Sequence, residues 1–275
     1  PPLYSSAASD VYKRQVEGIT GFGDMAATAD SAAMEAKGIE HRFFSRANDR
    51  RRGGFVESEG GGTVILARGS VAARMGLPVA GVIGFVSSYA DGAHTSIPAP
   101  GLGALGAGRG GRSSRLAKAL AALGVEADDI ALVSKHDTST GANDPNESEL
   151  HTRLARALGR SEGNSLVAVS QKTITGHAKG GAAVFQVAGL TEILASGVAP
   201  GNASLDVVDA PLAKDAFWVW PRRPIRLAGR GGQDGRVPGA GPVRAGLLTS
   251  LGFGHVSGLI AIVHPGAFEA ALRPV

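Results

Sequence analysis

Three short stretches carry residue types, at a spacing, that could do chemistry. Ser134 to Glu147 reads SKHDTSTGANDPNE. An apolar run closes at Lys135, His136 follows, and a Thr/Ser/Gly/Asn-rich turn leads into a helical pattern. The imidazole therefore stands at the C-terminal edge of a strand, where α/β sites gather. Read alone, the stretch serves equally well as a capping loop with a structural histidine, since imidazole is a common hydrogen bonder. Ser170 to Ala182 reads SQKTITGHAKGGA, with Lys172 and His177 flanking a strand-to-helix turn. Gly176 lets the chain bend and sets His177 near the positive end of a helix, which lowers an imidazole pKa and favours the neutral, singly donating form. Lys172, read alone, is a solvated surface lysine. Thr249 to Gly258 reads TSLGFGHVSG. Glycines on both sides of Phe253 permit close backbone approach and expose amide N–H groups, or simply make a hairpin turn.

The elements that must position these stretches alternate short apolar runs with Ala-rich helical patterns, the signature of an α/β fold. Gly62 to Leu66 and Val79 to Val86 read as strands around a short helix at Val71 to Met75. Ser88 to Gly111 reads as a loop, Ser113 to Leu123 as an amphipathic helix closed by Gly124, and Asp129 to Ser134 as a buried strand leading to His136. Asp144 to Leu158 reads as a helix, Leu166 to Val169 as a strand, and Ala178 to Leu194 as a long helix apolar enough to be buried on most sides. Phe217 to Trp220 resembles an edge strand, and Ala228 to Pro242 is a Gly/Arg-rich loop. Ala245 to Ser250 and Val256 to Val263 read as strands joined by the turn Leu251 to His255.

The 275 residues, 43% hydrophobic and 19% charged, have the balance of a globular protein with one large or two small cores. No cysteine is present, which excludes disulfides, thiolate metal sites and a cysteine nucleophile within the chain. The net charge is +4, but Arg50, Arg51 and Arg52 form the only dense basic run and no aromatics are interleaved for base stacking. That run reads as a solvated face, or secondly as a dock for an acidic partner, rather than a nucleic-acid surface. No run approaches the ~18 apolar residues that span a bilayer, and a signal-peptide pattern is missing, so the expectation is a cytoplasmic protein. Pro1 to Gln15, PPLYSSAASDVYKRQ, joins poorly to the chain from Val16 onward and reads as translated adapter sequence, set apart from the fold.

In order and spacing, the three stretches resemble the β-ketoacyl synthases of the thiolase superfamily, with their His-x-Thr-Ser-Thr motif, Lys-x-x-x-x-His motif and terminal Gly-Phe-Gly turn. KHDTSTGANDPNE and QKTITGHAKGGA look most like the condensing domain of type I fatty acid synthases of actinobacteria and, more distantly, fungi. FSRANDRRRGGFVESEGGG, Phe44 to Gly62, is similar to the segment before the second half of that fold. The resemblance covers Val16 to Pro265, with 266–275 as a tail.

It implies a layered αβαβα fold, of which this chain holds the C-terminal half and part of the N-terminal half. It also implies decarboxylative Claisen condensation, with His136 and His177 donating hydrogen bonds to the enolate oxygen. Lys172, paired with Glu147, would hold the two histidine loops in register, and Thr138, Ser139 and Thr140 would form the supporting turn. Phe253, between Gly252 and Gly254, would offer its backbone N–H to an acyl oxyanion hole and its ring as a gate. The other oxyanion donor would be the amide of a cysteine upstream of Val16, so the chain alone is expected to be inactive in condensation. The resemblance implies no bound cofactor. Substrates would ride on the phosphopantetheine arm of an acyl carrier protein domain, within a homodimer or a larger synthase assembly. Asp137 departs from the Gly common in stand-alone synthases.

Three rival motifs lack the context they need. Gly101 to Gly106 matches a dinucleotide fingerprint, but it follows Ile-Pro-Ala-Pro and runs into Gly/Arg, so it lacks the strand and helix that motif needs. A zinc site from His136, His177, His255 and His264 lacks the short spacing of a metal-binding helix. No G-x-S-x-G elbow is present for a serine hydrolase. A non-catalytic, cysteine-less synthase subunit, acting as dimerisation scaffold or chain-length partner, is the remaining alternative.

Overall fold

The structure, a computed structural model, describes residues 16–91, 102–213, 217–227, 230–231, 237–238, 243–252 and 256–272. Its N-terminal part holds α1 (Val16–Asp24), α2 (Ser31–Ala36) and α3 (Gly69–Met75). The main body then runs through β1 (Val82–Ala90), α4 (Arg115–Ala121), β2 (Ile130–Ser134), α5 (Asn143–Leu158), β3 (Leu166–Val169), α6 (Lys172–Thr175) and α7 (Ala182–Ser196). Short pairings come next: β4 (Val198–Ala199), β5 (Trp218–Val219), β6 (Ile225–Arg226), β7 (Arg230–Gly231) and β8 (Val237–Pro238). The chain closes with β9 (Ala245–Gly252), β10 (Val256–Val263) and α8 (Pro265–Leu272).

The main sheet has the order β1-β10-β9-β2-β3-β5. Its β1, β10 and β9 are antiparallel neighbours, whereas β9, β2, β3 and β5 run parallel. Parallel neighbours need long crossovers, and the chain between β2 and β3 is α5, which packs on one face. Every position of β3 and all but one of β2 are buried, which is why both read as unbroken apolar runs rather than alternating ones. Side chains of β3 and β9 divide by period two, whereas the register shift between Ile130 and Leu132 breaks that alternation in β2. Ile130, Val133, Leu166, Ala168 and Leu247 pack with Leu116 and Leu120 of α4 and Leu150 and Leu154 of α5. Leu132, Val167, Val169, Leu248 and Ile262 pack with Leu190, Ile193 and Leu194 of α7. Helices thus cover both faces of a mixed sheet, as the α/β reading requires.

Three expectations need correction. Gly62 to Leu66 forms no ladder, and Ile65 and Leu66 are 87% and 74% exposed, because no strand among the described residues lies beside it. β1 runs on to Ala90, into the stretch expected as a loop, because Val256 of β10 still offers Ala90 a partner. The long apolar helix is not buried on most sides. Its buried residues are Ala182, Gln186, Leu190, Ile193 and Leu194, a single stripe, while Ala188 on the far side is exposed. It also begins at Ala182, after a 3-10 turn over Lys179–Gly181 where Lys179 has φ +52°. The tail after Pro265 holds α8, and Ala267 joins the core.

Part of the Ala228 to Pro242 loop pairs as β7 with β8. Pro1 to Gln15, Gly101 with the Ile-Pro-Ala-Pro flank before it, and Phe253, Gly254 and His255 lie outside the described residues.

Candidate active site

β2 ends at Ser134, and Lys135 N–H still bonds the Val169 carbonyl of β3 at 3.0 Å. Beyond it the chain leaves the sheet, so the amides of His136 and Asp137 need other acceptors. Glu147, one turn into α5, supplies them: His136 N–H donates to Oε1 at 2.5 Å and Asp137 N–H to Oε2 at 2.9 Å. Asn143 Nδ2 and the Thr249 hydroxyl donate to the same carboxylate. Burial, then the charge of Asp137, pushes Glu147 up from its ordinary value, while Lys135, the Thr249 hydroxyl and the Asp137 amide act against the rise.

Lys172 is buried at the start of α6, not solvated. Its Nζ lies 2.5 Å from the His136 carbonyl and 3.2 Å from His136 Nδ1. Burial pulls its pKa down to about 8 against the opposing charges of Glu147, Asp137 and Asp144. A direct Lys172–Glu147 ion pair, expected from the sequence, is not formed. Each instead grips the His136 backbone, one at the carbonyl and one at the amide. An ammonium can only donate, so Nδ1 of His136 is the acceptor and the ring proton sits on Nε2. Burial, with Lys172 and His177 nearby, holds His136 well below its ordinary value and therefore neutral.

A different set of contacts positions the second histidine. Gly176 takes φ +69°, and a Cβ there would lie 2.6 Å from that of Ser58, so only glycine permits the turn. His177 N–H bonds the Val56 carbonyl at 2.8 Å, which ties the loop to the N-terminal segment. Lys179 N–H donates to His177 Nδ1 at 3.1 Å, which again places the ring proton on Nε2. This turn amide, rather than the start of a long helix, fixes the tautomer. The His136 and His177 rings meet edge to face with centroids 5.4 Å apart. Both line a cleft of about 380 Å³ with Phe22, Phe55, Thr138, Asn143 and Gly252.

Thr138 and Thr140 share a hydroxyl hydrogen bond of 3.0 Å, and Thr140 Oγ1 accepts Asn143 N–H at the start of α5. Ser139 has φ +61°, and its carbonyl accepts Gly54 N–H, so the Thr-Ser-Thr turn is pinned from both sides. Gly252 ends β9 at the cleft, whereas Phe253 and Gly254 lie outside the described residues.

Several buried groups escaped sequence reasoning. Lys135 is fully buried, 2.7 Å from Asp137 Oδ1, bonded to Asn48 Oδ1 and Ser148 Oγ, with Trp220 stacked 5.1 Å away. Asp137 has φ +35°, and its Oδ2 accepts from Asn48 Nδ2 and Ser170 Oγ. A Lys-x-Asp pair before a Thr-rich turn is the only trace of this in the sequence. The basic run is largely neutralised within the chain: Arg51 pairs with Asp206, and Arg52 pairs with Asp209 at 2.7 Å and Asp144 at 3.6 Å. The zinc reading finds no support, since the Nδ1 atoms of His136, His177 and His264 all accept protein N–H groups. Among the described residues no three His, Asp or Glu side chains gather as a metal site.

Residues 80–206 match the β-ketoacyl synthase C-terminal domain family. Fatty acid synthase 2 of Mycosarcoma maydis is 36% identical over 248 residues, 90% of this chain and 6% of that protein. The fatty acid synthase alpha subunit stcJ of Emericella nidulans is 38% identical over 260 residues, 94% of this chain and 16% of that protein. The chain thus spans only a small part of the curated relatives it matches. The crystal structure of the noncanonical ketosynthase FabY from P. aeruginosa superposes with a TM-score of 0.71 at 22% identity, over 94% of this chain and 38% of that one. The likeness to that structure is one of fold. Residues 80–206 thus match the C-terminal domain of the β-ketoacyl synthases, and most of the chain is similar to part of fungal fatty acid synthases.

Proposed function

We propose that this chain supplies the decarboxylating, enolate-stabilising side of a fatty acid synthase condensing site. The observation that carries this reading is the pair of imidazoles, each with Nδ1 held by a donor, that line one cleft. When the malonyl carboxylate leaves as carbon dioxide, the electrons of the broken C–C bond move onto the thioester carbonyl oxygen. Two preorganised N–H donors there stabilise that charge as it develops. Lys172 keeps His136 in its donor tautomer, and Glu147 fixes the loop that carries it.

The enolate carbon then attacks an acyl thioester. With no Cys among the 275 residues, the nucleophile that holds that acyl group must come from outside them, and the chain by itself makes no ketoacyl product. Phe253 N–H, between Gly252 and Gly254, completes the acyl oxyanion hole in this reading. The malonyl group arrives on the phosphopantetheine arm of an acyl carrier protein domain, within a dimeric or larger assembly in the cytoplasm. No helix among the described residues is long and apolar enough to cross a membrane.

The test is carbon dioxide release from a malonyl-pantetheine thioester by the chain, its His136→Ala and its His177→Ala forms. Each substitution lowers the rate about 10²–10³-fold, the usual cost of one lost oxyanion donor. A chain that binds the thioester without decarboxylating it would instead fit a scaffolding subunit.

A further inference from the structure

Behind His136, away from the cleft, lies a histidine that no motif marks. His151 stands one turn beyond Glu147 on α5 and is 1% exposed. Its Nε2 is 3.0 Å from Thr249 Oγ1 on β9, and the Thr249 hydroxyl donates to Glu147 Oε1. A hydroxyl has one proton to give. Thr249 gives it to the carboxylate, so its oxygen accepts from His151, and His151 is an Nε2–H imidazole. His151 Nδ1 is buried with no hydrogen-bond partner. A buried imidazole with one nitrogen unsatisfied costs more than a phenyl ring of similar shape would. What the imidazole adds over the phenyl ring is a donor that orients the Thr249 hydroxyl toward Glu147.

We propose that Thr249 and His151 are positioning residues that act through Glu147 and Lys172 to hold His136 in its Nε2–H form. The proposal rests on the enolate-stabilising reading of His136. The path is continuous: His151 Nε2–H to Thr249, Thr249 O–H to Glu147, and Glu147 to the His136 amide, with Lys172 closing on the His136 carbonyl and Nδ1. The charged and titratable groups facing Glu147 are Asp137 and Lys135 from the end of β2, Lys172 from α6, and Asp144 and His151 from its own helix. From β9 only the Thr249 hydroxyl faces it. Burial and Asp137 favour the protonated acid, whereas Lys135 and the Thr249 bond favour the carboxylate. The carboxylate in turn favours the protonated lysine that donates to His136. Losing the hydroxyl therefore raises the pH at which Glu147 takes a proton and, with that charge gone, lowers the pH at which Lys172 gives one up, so the range over which His136 is held in one tautomer narrows from both sides.

The test compares Thr249→Val, Thr249→Ser, His151→Phe and the Val/Phe double variant of the whole chain. The two readouts are the pH profile of malonyl-thioester decarboxylation and ¹⁵N-histidine NMR of the His136 tautomer. In Thr249→Val, kcat falls about 10-fold with KM nearly unchanged, the acid limb moves up by about one pH unit, and His136 becomes a tautomer mixture, as expected for one charge-assisted bond. Thr249→Ser restores both readouts. His151→Phe shifts them the same way by less, and the double variant matches Thr249→Val. An unmoved limb with an unmixed tautomer in Thr249→Val, a Ser variant that behaves like Val, or additive effects in the double variant would each overturn the proposal. Should Thr249→Val not fold, His151→Phe decides on the same two readouts. A wild-type chain without decarboxylase activity sinks the enolate reading, while the NMR readout still tests the coupling.

Discussion

Removing the charge of Lys135 separates a positioned ion pair from an incidental one. Lys135 is fully buried between Asp137 Oδ1 at 2.7 Å, Asn48 Oδ1 at 2.9 Å and Ser148 Oγ at 3.0 Å. In Lys135→Met the volume is kept, but Asp137 is left buried beside Asp144 and Glu147 with no cation in contact. Breaking a buried pair from one side costs about 3–5 kcal/mol. Asp137→Gly strands the lysine instead, yet it relieves the +35° φ, a strain of about 1–3 kcal/mol in a non-glycine residue, so its net cost is about 2 kcal/mol. In the double variant neither charge remains, and the loss should fall short of the sum of the single losses by at least about 2 kcal/mol. Urea unfolding of the four forms at neutral pH measures this. Losses that add within about 0.5 kcal/mol would show that the pair is not coupled and that Asp137 is held by Asn48 and Ser170 alone.

Lys172, drawn down to about 8 by burial, should give decarboxylation a basic limb near pH 8, because the neutral amine no longer fixes His136. Lys172→Arg, which stays charged, should carry activity past that limb, and a limb left in place would trace it to another group. Stability should also respond to acid through two opposed groups. Burial, then Asp137, raises Asp144 to about 7, so the folded state holds its proton more tightly than the unfolded chain and this group adds stability as pH falls from 7 toward 3.8. Burial, then Lys135, lowers His151 to about 3, so the unfolded chain takes the proton first and stability is lost as pH falls from 6.5 toward 3. Each slope is about 1.4 kcal/mol per pH unit where only one state is protonated, and the two oppose each other between about pH 4 and 6.5. Asp144→Asn should therefore steepen acid destabilisation by that amount and His151→Phe should relieve it, as read by urea unfolding at pH 5, 6 and 7.

The parts of this molecule that sequence alone revealed are those set by local rules. β3 is bounded as its apolar run reads, and α5 and α4 fall within a residue or two of their periodic patterns, because each buries an apolar stripe of its own. Elements that depend on a neighbour were read less well. Ala90 extends β1 because β10 reaches it, and Gly62 to Leu66 has strand-like residues but no strand to pair with among the described residues. The histidines were legible from their motifs, whereas their tautomers were not. Those depend on Lys172 Nζ and Lys179 N–H, contacts made across 36 residues in one case and two in the other. The roles of Lys135, Thr249 and His151 were not legible, because a lone Lys, Thr or His has no period of its own and only the fold shows it facing inward.

The buried stripe of α5 accounts for this arrangement. Toward its C-terminus the stripe is Leu150, Leu154 and Leu158, which pack on the sheet. Toward its N-terminus the same stripe is Asp144, Glu147, Ser148 and His151, because there the sheet has ended and the helix lies against chain that has left the ladder. Asn48, His136 and Asp137 all have backbone N–H groups in that region, and Asp144 or Glu147 accepts each one. The carboxylates thus replace the missing strand, satisfying amides that burial would otherwise leave orphaned. A polar network of this kind holds one geometry only while every member is paired. Thr249 is one hydrogen bond from the carboxylate that holds the His136 amide, and His151 is two. A substitution at either position should therefore reach the imidazole even though neither residue lines the cleft.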